Sequence, residues 1–90
     1  MEVKILGIGC ANCKRLYEEA RKAIAQSGIE ATLVKVEKID EIKGYRILST
    51  PALVINEKVK AAGRIPEARE IVTWLMNAAV EDEIEDKTKK

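Results

Sequence analysis

The 90-residue sequence contains no histidine, no phenylalanine and only two cysteines. A closed structural zinc site takes four ligands, so two cysteines without histidine could complete one only with carboxylates or a second subunit. Because phenylalanine is absent and aromatic residues make up only 3% of the chain, isoleucine, leucine, valine and alanine have to fill the core. We therefore expect no bound metal and an aliphatic core in one small domain.

The sequence also lacks a long hydrophobic run and an excess of charge of one sign. No apolar segment approaches the roughly 20 residues that span a bilayer. The 16 basic and 15 acidic residues leave a net charge of +1, whereas nucleic-acid-binding domains usually show a clear basic excess. The amino-terminal MEVKIL starts a strand-like pattern without the features of a secretory signal. We therefore expect a cytoplasmic monomer that contacts neither membranes nor nucleic acid.

What the sequence does contain is an alternation of strand-like and helix-like apolar patterns. Gly44 interrupts a short helix, and Asn56-Glu57 suits a hairpin turn. Pro66 suits the first turn of the last helix, and Glu67 beside it would lie near the positive end of the helix dipole. The predicted order is strand, helix, strand, helix, strand, strand, helix, over residues 3–6, 11–27, 31–36, 39–47, 52–55, 58–62 and 66–80.

This order predicts an α/β fold, β-α-β-α-β-β-α, in which a mixed four-stranded sheet is flanked by about three helices. The first strand–helix–strand unit should form a right-handed parallel crossover, and the later hairpin adds antiparallel strands. We expect residues 1–80 to form the domain and the charged residues 81–90 to form a frayed helix end or a disordered tail. The last helix presents one apolar face, made of Ala68, Ile71, Val72, Leu75, Met76 and Ala79.

The two cysteines, Cys10 and Cys13, form a Cys-x-x-Cys motif where the first strand ends and the first helix begins. The N–H groups of a first helical turn have no partners within the helix, and they stabilise a thiolate placed there. A thiol with a pKa of about 8.5 is roughly 3% ionised at pH 7, whereas one with a pKa of about 7 is half ionised. Cys13 continues the apolar helix face through Leu16 and should be buried, whereas Cys10 follows Gly9 and should be exposed. The register therefore predicts that Cys10 attacks a disulfide and that Cys13 resolves the intermediate.

Three other interpretations of the motif have different requirements. A purely stabilising disulfide would close so short a loop that it contributes only about 2 kcal/mol, and the cytosol keeps thiols reduced. A copper(I) carrier needs only two soft thiolates, and small copper carriers resemble this chain in size and in the place of the motif. Their hairpin directly follows the first helix, however, and a Met usually precedes their motif, where this chain has Ile8-Gly9. The third interpretation is a redox-inert domain that binds partners in a groove at Thr50-Pro51.

The chain resembles the thioredoxin/glutaredoxin superfamily over about residues 2–80. The resemblance rests on the Cys-x-x-Cys motif after the first strand, Thr50-Pro51 before the third and Gly63 after the fourth. It implies a thioredoxin-like fold in which Pro51 is cis and faces the disulfide, and in which the Thr50 backbone binds an extended substrate segment. Gly9 and Gly63 are implied to border that substrate site. The chain is most similar to short, glutaredoxin-sized proteins of bacteria and archaea that behave as thioredoxins.

The resemblance also implies a reaction, dithiol–disulfide exchange through Cys10 and Cys13. Its substrates would be protein disulfides, and a flavin-dependent dithiol reductase would return the redox-active Cys10–Cys13 disulfide to the dithiol. No other bound cofactor is required. Typical thioredoxins hold a buried acid near the motif, but here Lys4 or Ile5 occupies that region. This leaves a water, Lys4 or no dedicated group to handle the proton of Cys13.

Overall fold

The computed structural model describes the backbone of residues 1–88 and the side chains of residues 1–81. Its strands and helices follow the predicted order, in which the period of the apolar residues sets the type of each element. Their bounds are β1 Glu2–Leu6, α1 Ala11–Ser27, β2 Thr32–Val36, α2 Ile39–Lys43, β3 Ala52–Ile55, β4 Lys58–Ala62 and α3 Ala68–Thr88. No helix in the described part of the chain is long and apolar enough to cross a bilayer.

The four strands form one mixed sheet in the order β2-β1-β3-β4. β1 and β2 run parallel, with Leu6 opposite Val36, and α1 connects them. β3 runs antiparallel to both β1 and β4, and β3 and β4 form the predicted hairpin. Because β1 and β2 are parallel, their carboxyl ends meet at one edge of the sheet, which is where α/β proteins commonly place their sites. The predicted mixed α/β fold is therefore confirmed.

Apolar side chains cover both faces of the sheet. The larger cluster lies between the sheet and helices α1 and α3, and the smaller one lies between the sheet and α2. All four residues of β3 are buried, as expected of a central strand that is covered on both faces. The buried members of the larger cluster are Val3, Ile5, Leu16, Ala20, Ala23, Leu53, Ile55, Ala61, Ile71, Leu75 and Ala78, and those of the smaller cluster are Leu6, Val36, Ile42, Ala52 and Val54. The core is aliphatic, as predicted.

The start of α3 differs from its prediction. The helix begins at Ala68, and the carbonyl of Glu67 accepts its first hydrogen bonds, from the N–H groups of Glu70 and Ile71. Pro66 and Glu67 therefore precede the helix and do not form its first turn. The physical reason is the burial of Pro66, whose side chain is fully enclosed, so the chain enters the core before it turns into the helix.

The apolar face of α3 is also rotated from the predicted one. Its fully or nearly fully buried residues are Ile71, Leu75 and Ala78, which follow one another at four and three residues along one side of the helix. Met76, which was predicted for this face, is 55% exposed. The prediction was wrong at this residue because Met76 lies roughly 100° around the helix from Leu75, beyond the edge of the contact with the sheet.

The predicted charged tail, residues 81–90, falls mostly on side chains outside the described set. The backbone of α3 continues to Thr88, and residues 89 and 90 lie outside the described residues. The division of the chain at residue 80 therefore stays a prediction.

A network around Lys4 joins β1 to the hairpin turn. The turn residues Asn56 and Glu57 have positive φ angles of 49° and 68°, as in the two-residue turns that match the twist of a hairpin. The Lys4 ammonium donates hydrogen bonds to the Glu57 carboxylate at 2.6 Å and to the Tyr45 hydroxyl at 2.8 Å. The Glu57 carboxylate, followed by the Tyr45 hydroxyl, raises the pKa of Lys4, and the bond from Lys4 lowers the pKa of Glu57.

Candidate active site

The loop after β1 brings Cys10 to the amino-terminal end of α1, and Cys13 lies in the first turn of that helix. Cys10 is the N-cap residue, with an extended backbone (φ −82°, ψ 164°), and its sulfur accepts a hydrogen bond from the N–H of Cys13 at 3.2 Å. The two sulfurs form a disulfide between residues whose Cα atoms are 5.1 Å apart. The first turn of α1, all of which is described, carries no acidic residue. This end of the helix therefore favours a negative charge on the Cys10 sulfur once the disulfide is opened.

The two cysteines differ in exposure. Cys10 is exposed, whereas Cys13 is only 7% exposed and shares a helix face with the fully buried Leu16 and Ala20. A second protein can therefore approach the sulfur of Cys10 from solvent more readily than that of Cys13. This is the difference in exposure that the helical register predicts.

Gly7 packs directly against Cys13, a contact that was not predicted. A methyl group on the Cα of Gly7 would overlap with the sulfur of Cys13 and would lie 3.9 Å from the Cα of Pro51. The N–H of Gly7 donates to the carbonyl of Val36 at 3.0 Å, which holds this segment against the end of β2. Glycine is therefore the residue that leaves room for the sulfur. The one signal in the sequence is its place directly after the first strand and just before the Cys-x-x-Cys motif.

Pro51 directly precedes β3, which pairs with β1 on the side opposite β2. Gly7, directly after β1, therefore lies between Pro51 and the end of β2. The peptide bond between Thr50 and Pro51 is cis, as the resemblance implies; Pro51 is buried, and Thr50 is exposed. The Pro51 carbonyl accepts a hydrogen bond from the N–H of Gly63 at 2.9 Å, and a methyl group on Gly63 would overlap with the hydroxyl of Ser49. The structure therefore brings Thr50, Pro51 and Gly63 together, and Pro51 lies close to Gly7, which packs against the sulfur of Cys13.

Gly9 lies next to Cys10 and near a carboxylate that was not predicted as part of the site. Its φ angle is 56°, and a methyl group on it would lie 3.8 Å from Oε2 of Glu37. Gly9, Cys13 and Glu37 line the same pocket. Glu37 directly follows β2, and parallel strands end at the same edge of a sheet, so its place after the second strand is the signal that could have found it.

Lys4, one of the groups considered for the proton of Cys13, lies on the opposite face of the sheet. Its neighbour Ile5 lines the pocket beside Cys13, and successive residues of a strand face opposite sides. The ammonium group of Lys4 is held by Tyr45 and Glu57. Lys4 is therefore not available to the cysteine pair.

The mixed sheet, the disulfide at the start of α1 and the buried proline before β3 define a class of protein, the thioredoxin-like disulfide proteins. A family model described as a thioredoxin domain matches residues 1–76. The chain is 35% identical over 71 residues to a thioredoxin of Methanothermobacter thermautotrophicus, and this match covers 79% of the chain and 92% of that protein. It is 35% identical over 69 residues to a thioredoxin of Methanocaldococcus jannaschii, with 77% and 79% covered. The chain belongs to the thioredoxin family and is a disulfide oxidoreductase.

Proposed function

We propose that this protein reduces disulfides in other proteins, with Cys10 as the attacking thiol and Cys13 as the resolving one. The observation that carries the proposal is the asymmetry of the pair, because the exposed Cys10 sulfur caps α1 whereas Cys13 is buried. A hydrogen bond from an N–H group favours the charged form of its acceptor, and the thiolate is the nucleophile in disulfide exchange. Exposure allows this thiolate to reach a sulfur in another protein.

The reaction moves two electrons from the protein to its substrate. The Cys10 thiolate attacks one sulfur of the substrate disulfide; that S–S bond breaks, and the other substrate sulfur leaves with the electron pair and takes up a proton. Cys13 then loses its proton and attacks the Cys10 sulfur, which releases the second substrate thiol and closes the Cys10–Cys13 disulfide. The Cα separation of 5.1 Å allows this closure without a change in the backbone.

A substrate segment is proposed to bind along Thr50, Pro51, Gly9 and Gly63. Three of these residues, Thr50, Gly9 and Gly63, are exposed, and the hydrogen bond from Gly63 to Pro51 joins the two loops. Glycine has no side chain to block the approach of another backbone. An extended substrate chain can therefore add backbone hydrogen bonds here while its disulfide meets Cys10.

The oxidised protein has to be reduced before it turns over again. We propose a flavin-dependent dithiol reductase as the electron donor, as the family implies, and the Cys10–Cys13 disulfide as the one redox group that the chemistry requires. We also propose that the protein works as a monomer in the cytoplasm, where reducing conditions keep the cysteines available as a dithiol.

A copper(I) carrier would use the same two sulfurs, but the fold supports the redox function over it. The carrier hypothesis requires a hairpin directly after the first helix, whereas here α1 leads into β2, which is parallel to β1, and the hairpin follows Pro51. A carrier also needs both sulfurs open to the thiolates of a partner. Cys13, with 7% of its surface exposed, does not meet that requirement.

Trapping the intermediate tests the proposed roles. Cys13→Ser lacks the resolving thiol, so we expect it to accumulate a covalent adduct with a disulfide-bonded protein. The wild-type protein should turn over with a dithiol donor, and the matched control Cys10→Ser should neither turn over nor form the adduct. Non-reducing electrophoresis detects the adduct, and mass spectrometry identifies the cysteine through which it forms. An adduct that forms faster through Cys13 than through Cys10 would reverse the roles, and tight copper(I) binding without any disulfide reduction would favour the carrier.

A further inference from the structure

A pocket of about 120 Å³ lies beside Cys13, where the carboxyl ends of β1 and β2 meet. Its lining is apolar or backbone on the side of β1 and charged on the sides of α1 and β2. The residues that line it are Ile5, Gly7, Gly9, Cys13, Lys14, Lys35 and Glu37. The charged residues among them are Lys14, Lys35 and Glu37. The ammonium group of Lys35 lies 4.8 Å from the centre of the Tyr17 ring, on the neighbouring helix α1.

Cys13 has a chemical requirement that this pocket can meet. On the proposed function, its thiol has to lose a proton before its sulfur attacks the mixed disulfide. Burial disfavours the charged thiolate, so a proton acceptor close to the sulfur speeds this step. Lysine ammonium groups are donors without an acceptor site, whereas a carboxylate accepts. Glu37 is therefore the one side chain among the pocket residues that can take the proton.

The position of Glu37 is set by the sheet. Leu6 lies opposite Val36 in the parallel pair, and the bond from the Gly7 N–H to the Val36 carbonyl ends that pairing at the residue before Glu37. Oε2 of Glu37 then lies 3.8 Å from the place where Gly9 would carry a methyl group. The Glu37 side chain is exposed, and its carboxylate forms no hydrogen bond or ion pair with another described residue. The carboxylate is therefore available to accept a proton.

We propose that Glu37 exchanges the proton of Cys13 during disulfide exchange, an inference that rests on the proposed function. The Glu37 carboxylate takes the proton from the Cys13 thiol, through a water for which the pocket has room. The Cys13 sulfur attacks the Cys10 sulfur, the bond between Cys10 and the substrate breaks, and its electron pair leaves on the substrate sulfur. That sulfur takes a proton from solvent, and Glu37 returns its own to solvent.

Separating the two steps of exchange tests this proposal. Reduced protein is mixed in a stopped-flow instrument with one equivalent of an aromatic disulfide, dithiobis-nitrobenzoate, each half of which gives a coloured thiolate. The first release reports attack by Cys10, and the second reports resolution by Cys13. In Glu37→Gln we expect an unchanged first release and a second release slowed by roughly tenfold or more at pH 7. The difference should shrink as the pH rises past about 8.5, where a thiol ionises without a base.

The matched control is Glu41→Gln, which removes the same charge from the neighbouring helix α2 outside this pocket. We expect both releases to keep their wild-type rates in this variant. A second release at the wild-type rate in Glu37→Gln at every pH would overturn the proposal, as would an equal slowing in both variants. If the wild-type protein gave a first release but no second, resolution by Cys13, and with it the proposed function, would be wrong independently of Glu37.

Discussion

The sulfur of Cys13 lies against the bare Cα of Gly7, so the absence of a side chain on Gly7 makes the space for this sulfur. Protein interiors are close-packed, and an added methyl group has to displace its neighbours. Here the neighbour on one side is the disulfide sulfur of Cys13, and on the other it is the backbone of Pro51. A substitution at Gly7 should therefore affect the stability of the fold and the chemistry of the cysteine pair together.

We expect Gly7→Ala to lower the free energy of unfolding by about 1–3 kcal/mol, because the methyl group overpacks the site. It should also slow disulfide exchange, because the overlap displaces the Cys13 sulfur. Urea unfolding and turnover with a disulfide-bonded protein measure the two effects. The control is Gly28→Ala at the end of α1, where φ is 70° but no atom lies within 4 Å of the added methyl. This control should lose roughly 1 kcal/mol of stability and keep its exchange rate. An unchanged exchange rate in Gly7→Ala would contradict the inference that Gly7 makes room for the Cys13 sulfur.

At the scale of elements, the Lys4 network holds β1, the segment after α2 and the hairpin turn together through Glu57 and Tyr45. Lys4 lowers the pKa of Glu57. A carboxyl whose pKa is lower in the folded state adds stability above its unfolded pKa, and it loses that contribution as the pH falls through the folded value. The pKa of Lys4 is raised in the folded protein. The stability that Lys4 contributes is therefore fully present below its unfolded pKa, near 10.4, and is lost only in strong alkali.

We therefore expect Glu57→Gln to be less stable than the wild-type protein at pH 7, and this difference to disappear as the pH falls well below 4. The physical reason is that acid protonates Glu57 in the wild-type protein and so removes the same ion pair that the variant lacks. Urea unfolding at a series of pH values measures the difference. The exposed Glu30 lies outside the network, and Glu30→Gln should follow the wild-type curve. A difference that is the same at pH 3 and pH 7 would show that Glu57 acts through the turn and not through its charge.

At the scale of the whole molecule, the buried contacts of α3 bear on where the domain ends. Ala78 is the last buried residue among the described side chains of α3, and the Glu81–Lys58 pair that follows, at 3.1 Å, lies on the surface with both side chains about half exposed. Exposed ion pairs contribute little to stability. Among the described side chains, the buried contacts of α3 with the core therefore end at Ala78.

We expect a chain that ends at Val80 to keep its disulfide exchange rate and a free energy of unfolding within about 1 kcal/mol of the full-length value. Urea unfolding and turnover are again the measurements. A chain that ends at Thr73 loses Leu75 and Ala78 from the core and, as the control, should fail to fold. A loss of several kcal/mol on truncation at Val80 would show that residues 81–90 belong to the domain.

Local patterns in the sequence determined the elements, their order and the asymmetry of the cysteine pair. The helical period alone places Cys13 on the face of Leu16 and leaves Cys10 at the exposed cap, because both residues are within a turn of the helix start. The hairpin at Asn56-Glu57 and the short helix before Gly44 follow in the same way from neighbouring residues. These features depend on interactions over a few residues, and such interactions can be derived from the sequence alone.

Only the tertiary structure decided which distant residues meet Cys13. Gly7 packs against its sulfur and Glu37 lines the pocket beside it because β1 and β2 pair in one particular register. No local pattern records a contact between two strands and a helix. The same holds for Met76, whose exposure depends on the angle at which α3 meets the sheet, and for Pro66, which burial keeps outside the helix. Such contacts are determined by how elements far apart in the chain pack together, because the volume available to a side chain depends on all of its neighbours at once.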